Sequence, residues 1–244
     1  MEKSKTRAVL NAFAVIAFLA VGAVGLFFLW GGRGGDLSYV EMACSIEGKE
    51  ISCVDNLQDW NEGLRYYDST LSVTSDTLGS LKSLLWEYWT IDFAGAANAS
   101  SSQEVIFPLS VLQNKKSGCV GLAWLALMVA EVRNINLHAV LLPGHVFLQY
   151  GSPENVSKVN LEPNRRGYSY TDEEYRQKYK AGPWTGLEFK PLEARQLVGL
   201  AAFDVGNLYL KEDASKALKW YRLAEEFFPE FPGISANQNV AKQR

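Results

Sequence analysis

The sequence predicts an α+β fold, extended at its N-terminus by a transmembrane helix and at its C-terminus by a helical hairpin. Three observations carry this expectation. Ala8–Trp30 runs 23 residues without a charge, and a bilayer span needs about 20. Ser117–Gly151 reads as a strongly apolar helix followed by two strands joined at Pro143-Gly144. Gln196–Arg244 shows helical spacing with small residues where paired helices would touch.

Taking the chain in order, Lys3, Lys5 and Arg7 precede the apolar run and only Arg33 follows it closely. Residues 1–7 are therefore expected to stay in the cytoplasm, with 8–30 acting as a signal anchor. A cleaved signal peptide has an apolar region of only ~7–15 residues and a small-residue cleavage site. This run instead ends in Phe27-Phe28-Leu29-Trp30, an interfacial aromatic end. The membrane is thus the expected partner of residues 8–30, and the globular part is expected outside the cytoplasm, periplasmic or extracellular. Residues 31–54 are expected to form a linker and a hairpin. Gly48-Lys49 would make its turn, Ile46 would face Ile51, and Cys44 would sit opposite Cys53. Two cysteines across a hairpin outside the membrane predict a disulfide. Cys119 is then the odd thiol.

Asp55–Tyr67 and Ser75–Trp89 read as helices, the second with Leu78, Leu81, Leu84, Leu85 and Tyr88 at helical spacing for the core. Val105–Gln113 leads to the central stretch. Ser117 and Gly118 are expected to cap the next helix, with Ser117 accepting from a free backbone N–H. Cys119 falls in its first turn, where unpaired amides and the helix dipole favour a negative sulfur. From Val120 to Val132 only Glu131 is charged, so the helix should be buried on most faces. Arg133-Asn134 marks its end. In the second strand His145, Phe147 and Gln149 share one face. A third short strand, Lys158–Pro163, puts Asn160 and Glu162 on one polar face. A thiol, an imidazole and a carboxylate thus occur at a helix start, a strand and the next strand. His138 lacks the Pro-Gly lead and reads as structural.

Gly-Cys at a helix start, Pro-Gly-His before a strand and an acid before proline resemble the transglutaminase-like superfamily of papain-type cysteine enzymes. The Leu-Gln-Asn-Lys-Lys-Ser-Gly-Cys and Leu-Leu-Pro-Gly-His-Val-Phe segments are similar to its bacterial membrane-anchored branch with C-terminal tetratricopeptide-like helices. The resemblance implies a transglutaminase-like core, a central helix packed on an antiparallel sheet, over residues 55–195, with tetratricopeptide-like helices at 196–244. It implies Cys119 as nucleophile and His145 as base. Glu162 matches the family's aspartate before proline, which orients the histidine, and is one methylene longer. Asn160 shares its face and is the alternative orienter. The Cys119 backbone N–H and the Gln113 amide, six positions upstream, are the candidate oxyanion donors.

Behind the site, Thr171-Asp172-Glu173-Glu174 is a capping box opening a helix through about Lys180. Arg165 and Arg166 lie in a turn-rich loop and are expected to be solvated. Pro191 is expected at the start of another helix. Gly206, Ala217 and Ala224, with Trp220-Tyr221 and Pro229, resemble a tetratricopeptide repeat. At least ~3 repeats are usually needed for independent stability, so a single one must dock on the core.

A net charge of −3 without a long basic run argues against a nucleic-acid partner. Two histidines and three cysteines without short-spacing pairs argue against a structural metal site. No phosphate loop or dinucleotide fingerprint is present, and no cofactor is expected. The leading expectation is acyl transfer or amide hydrolysis on a protein or peptide through Cys119, His145 and Glu162. The alternative is a catalytically inactive module that uses the cleft and helical tail for binding or assembly.

Overall fold

The structure is a computed structural model that describes residues 38–155 and 157–244. The span expected at 8–30 lies outside the described residues. Among those residues, no helix is long and apolar enough to cross a membrane.

The core is built around the predicted apolar helix. Nine helices and five strands are named in chain order: α1 (Tyr39–Ile46), α2 (Gln58–Thr74), α3 (Thr77–Ser83), β1 (Asp92–Phe93), α4 (Pro108–Asn114), β2 (Lys116–Ser117), α5 (Cys119–Arg133), β3 (Leu137–Leu142), β4 (His145–Tyr150), β5 (Val159–Leu161), α6 (Asp172–Lys178), α7 (Ala194–Tyr209), α8 (Ala214–Phe227) and α9 (Pro232–Lys242). In α5 every residue from Val120 to Ala130 is buried. Its one acid has a defined task. Glu131 accepts from Ser38 Oγ at 2.9 Å, Tyr39 N at 3.1 Å and Val40 N at 3.2 Å, closing the open N-terminus of α1. Arg133 forks onto Asp68 of α2 through Nε and Nη2, at 2.7 and 2.8 Å. Asn134 then takes the left-handed conformation, φ 53°, that ends the helix.

The hairpin expected over Met42–Val54 does not form. Met42–Ile46 is helical, and Cys53–Asn56 is a short 3-10 turn. Helix α1 buries Met42, Ala43 and Cys44 while Glu41 stays partly exposed, a pattern an eight-residue helix serves as well as a strand. The cysteine pairing survives the change of element. Cys44 and Cys53 form a disulfide with Cα atoms 5.7 Å apart. Glu47, just after α1, accepts from Leu109 N, Ser110 N and Ser110 Oγ, so it caps α4 from 62 residues away.

The expected helix over Ser75–Trp89 is present in two parts. After α3 the chain widens into a π turn at Leu84–Tyr88. Leu84, Leu85 and Trp86 are buried consecutively, followed by Trp89, which one stripe of a regular helix does not achieve. Trp89 stacks on Trp60 at 5.9 Å, locking this unit to α2.

Strands β3, β4 and β5 form an antiparallel sheet in that order, with Leu142 opposite His145 and Gln149 opposite Asn160. Gly144 at φ 66° makes the turn between the first two. Pro191, expected to start a helix, instead bridges Val140, while Phe189 and Leu192 donate to Leu141 O and Ala139 O. A proline is tolerated there because the segment is a sheet edge. Helix α7 begins later, at Ala194, under a Glu193–Gln196 capping box.

Both faces of the sheet are buried. Ala139, Leu141, Val146 and Leu148 fill one; Val140, Leu142 and Phe147 pack with Tyr175 of α6 on the other. The predicted capping box of α6 is present, Thr171 and Glu174 holding each other's backbone N–H. Helices α7 and α8 pair as the expected hairpin, with Gly206 against the Tyr221 ring and Ala217 and Ala224 fully buried. The pair joins the core through α7 against α5 and through Trp220 against Phe107, centroids 5.9 Å apart.

Candidate active site

The site assembles where α5 begins and β4 begins. Strand β2 runs beside β1 and delivers the chain to Gly118. Gly118 is the N-cap, in an extended conformation (φ −85°, ψ −177°). A Cβ there would collide with the Ala99 carbonyl oxygen, so only glycine admits this close approach. Ser117 does not cap the helix as expected. Its hydroxyl donates to Gly118 O at 2.7 Å and is buried against Val105 O. The first turn of α5 therefore has no side-chain cap. Cys119 is the first residue of that turn, is half-buried and is the free cysteine of the described chain.

His145 Nε2 lies 2.9 Å from Glu162 Oε2, with side-chain exposures of only 4 % and 1 %. Cys119 is the other polar group acting on the ring. Burial alone would push the imidazole down. Its hydrogen bond with Glu162 and the influence of the nearby Cys119 and Glu162 side chains outweigh burial and carry it up to about 9. Glu162 is pulled the other way. Burial would raise it, but His145 and the Asn164 N–H hold its carboxyl below the usual range, with the Lys178 charge helping. Both carboxylate oxygens are engaged. Oε1 accepts from Asn164 N at 3.0 Å, and Oε2 also accepts from Tyr175 Oη at 3.2 Å.

Asn160, the alternative orienter, is committed elsewhere. Its amide nitrogen donates to Tyr170 O and Asp172 Oδ1, and its oxygen accepts from Gln149 Nε2. One residue of strand separates it from Glu162, and that step shifts it from the histidine to the start of α6. Gln113 is exposed in the last turn of α4, among no contacts that would carry its amide to Cys119. His138 is half-exposed and bonds Asn136 Oδ1 at 2.9 Å, a local role as expected.

Two tyrosines of the site were not foreseen. Tyr175 holds Glu162, and burial first, then the Glu162 charge and hydrogen bond, raises its phenol. Tyr179 stacks flat on His145, centroids 5.4 Å apart and planes 4° apart. Burial first, then the charges of Glu162 and Cys119, raises Tyr179 as well. Their i, i+4 spacing in a capped helix was the available signal, since it puts both rings on one face.

The family model for the transglutaminase-like superfamily matches residues 52–221. Comparison with curated proteins and with solved structures yields no match. The match spans α2 through most of α8, and Cys119, His145 and Glu162 all fall inside it, so the chain belongs to the transglutaminase-like superfamily.

Proposed function

We propose that this protein is a membrane-anchored, transglutaminase-like cysteine enzyme that performs acyl transfer or amide hydrolysis on a protein or peptide. The observation that carries this reading is the buried 2.9 Å contact between His145 and Glu162, with Cys119 acting on the same ring. The Cys119 sulfur attacks a carbonyl carbon and forms a thioester. Protonated His145 gives its proton to the leaving amine as the carbon–nitrogen bond breaks. Water or a second amine then attacks the thioester, His145 takes its proton, and the sulfur leaves. Water gives hydrolysis and an amine gives a crosslink. Glu162 holds the ring and its charge throughout. The uncapped amides at the start of α5 suit the oxyanion.

Membrane anchoring rests on the charge-free run at 8–30 and its flanking cations. The three C-terminal helices, with small residues at their seams, support the tetratricopeptide-like reading of the tail.

The test is alkylation of Cys119 by iodoacetamide at pH 7, read by mass spectrometry. His145→Ala should slow labelling at least about tenfold, because the partner that balances the sulfur's charge is gone. Glu162→Gln should slow it less, and Asn160→Ala should leave it unchanged. Labelling that ignores His145 would instead favour the non-catalytic binding module.

A further inference from the structure

The cations beside the site lie over aromatic rings. Arg165 Cζ lies 5.1 Å from the Tyr168 ring centre and 5.7 Å from that of Tyr170, and its guanidinium also reaches the Tyr170 hydroxyl. Lys178 Nζ lies 5.0 Å from Tyr170 and 5.5 Å from Tyr179. Arg176 Cζ sits 4.1 Å over Phe189. All three cations are exposed.

The acids of the same segment are already engaged. Glu162 is buried and accepts three hydrogen bonds. Asp172 pairs with Lys158 at 3.0 Å and accepts from Asn160. Glu174 closes the capping box, Glu173 accepts from Gln177, and Glu188 holds the amides of Thr185 and Gly186. Among the described residues none of the three cations forms an ion pair within 4.0 Å; Lys178 and Arg165 feel the Glu162 charge and Arg176 the Asp172 charge only at longer range, although the chain as a whole is acidic.

This patch reaches the reacting groups through one ring. Tyr179 has Lys178 Nζ 5.5 Å from its ring centre and stacks on His145, and it feels the Cys119 charge. Resting on the enzyme reading above, we propose that Arg165, Arg176 and Lys178 form a subsite for an acidic peptide, binding carboxylates beside the acyl group delivered to Cys119. Rings beneath the cations hold them in place while leaving their outward N–H donors free. Arginine donors in particular match carboxylate geometry. The Tyr168 ring, 51 % exposed, offers the apolar part of the same surface.

The test compares two thiol-alkylating peptides on the full-length protein in a neutral detergent. One is acetyl-Glu-Glu-Gly chloromethyl ketone and the other its Gln-Gln counterpart. In each, the Cys119 sulfur displaces chloride and a thioether forms. The acidic reagent should react about fivefold faster at low salt, the scale expected of exposed charges. The preference should fade at high salt. The combined Arg165→Gln, Arg176→Gln and Lys178→Gln variant should lose it, and Lys178→Glu should favour the neutral reagent. Iodoacetamide, which carries no charge, should still label these variants in a His145-dependent way, and the peptide preference is read relative to that rate. Equal rates for the two peptides, with iodoacetamide labelling still dependent on His145, would overturn the subsite and leave the enzyme reading standing. Labelling that does not depend on His145 would overturn both.

Discussion

At the scale of single residues, Glu162 decides the chemistry of the site. Its longer side chain still brings one oxygen to His145 Nε2 while the other caps the next turn at Asn164. Tyr175 Oη donates a further hydrogen bond to the oxygen that meets His145. The pairing has a pH signature. His145 is raised to about 9 in the folded protein, against about 6.5 unfolded. Its stabilisation is therefore fully present below about pH 6.5 and is lost as pH rises through about 9. Glu162 is depressed, so its contribution is present above its unfolded value of about 4.3 and lost as pH falls below that. Thermal unfolding of the parent and His145→Gln should show a melting-temperature gap that is widest near pH 6 and narrows toward pH 9.5. A gap that grows with pH would contradict the assignment of the charged pair.

At the scale of elements, short segments are held by partners far away in the chain. Helix α1 is too short to be stable alone. Glu131 closes its start, Trp124 Nε1 donates to Tyr39 O at 3.0 Å, and the disulfide fastens its last turn to the Cys53–Asn56 turn. The cysteines are nine positions apart, and closing so short a loop stabilises by about 2–3 kcal/mol on the chain-entropy account. Cys53→Ser should lower stability by about that amount in urea unfolding, while Cys119 labelling continues, because α5 is buried independently of the crosslink. An unchanged midpoint would mean the bridge adds nothing. Helix α6 shows the same economy from the other side of the sheet. One capped helix of seven residues supplies Tyr175 to Glu162 and leads into Tyr179 over His145.

At the scale of the whole molecule, the α7–α8 pair closes the core from behind. Leu197, Val198, Ala201 and Val205 of α7 are buried, and Trp220 of α8 reaches Phe107, just before α4. The disulfide fits an oxidising compartment, and the cations ahead of Ala8 argue for the same side of a membrane. A phosphatase or fluorescent reporter fused after Arg244 should report an extracytoplasmic end. A cytoplasmic readout would overturn the proposed localisation and leave the disulfide without its compartment.

The sequence by itself determined the burial of α5, the β3–β4 hairpin with its Pro-Gly turn, the α6 capping box and the pairing of Cys44 with Cys53. The first three follow from local periodicity or turn chemistry, which a short window contains; the pairing was read from a hairpin that does not form, and it holds because the helix and the 3-10 turn also bring the two cysteines together. Only the tertiary structure decided the rest. Residues 42–46 became helix because Glu131, 91 residues beyond Val40, closes that helix's N-terminus. Pro191 became a sheet edge because Val140 lies beside it. Between Asn160 and Glu162, which share a strand face, the choice fell to Glu162 because Asn160 is claimed by Gln149, Tyr170 and Asp172. Tyr179 reached the site because its helix packs across the sheet. In each case the deciding partner is distant in sequence, and periodicity carries no information about which distant group will arrive.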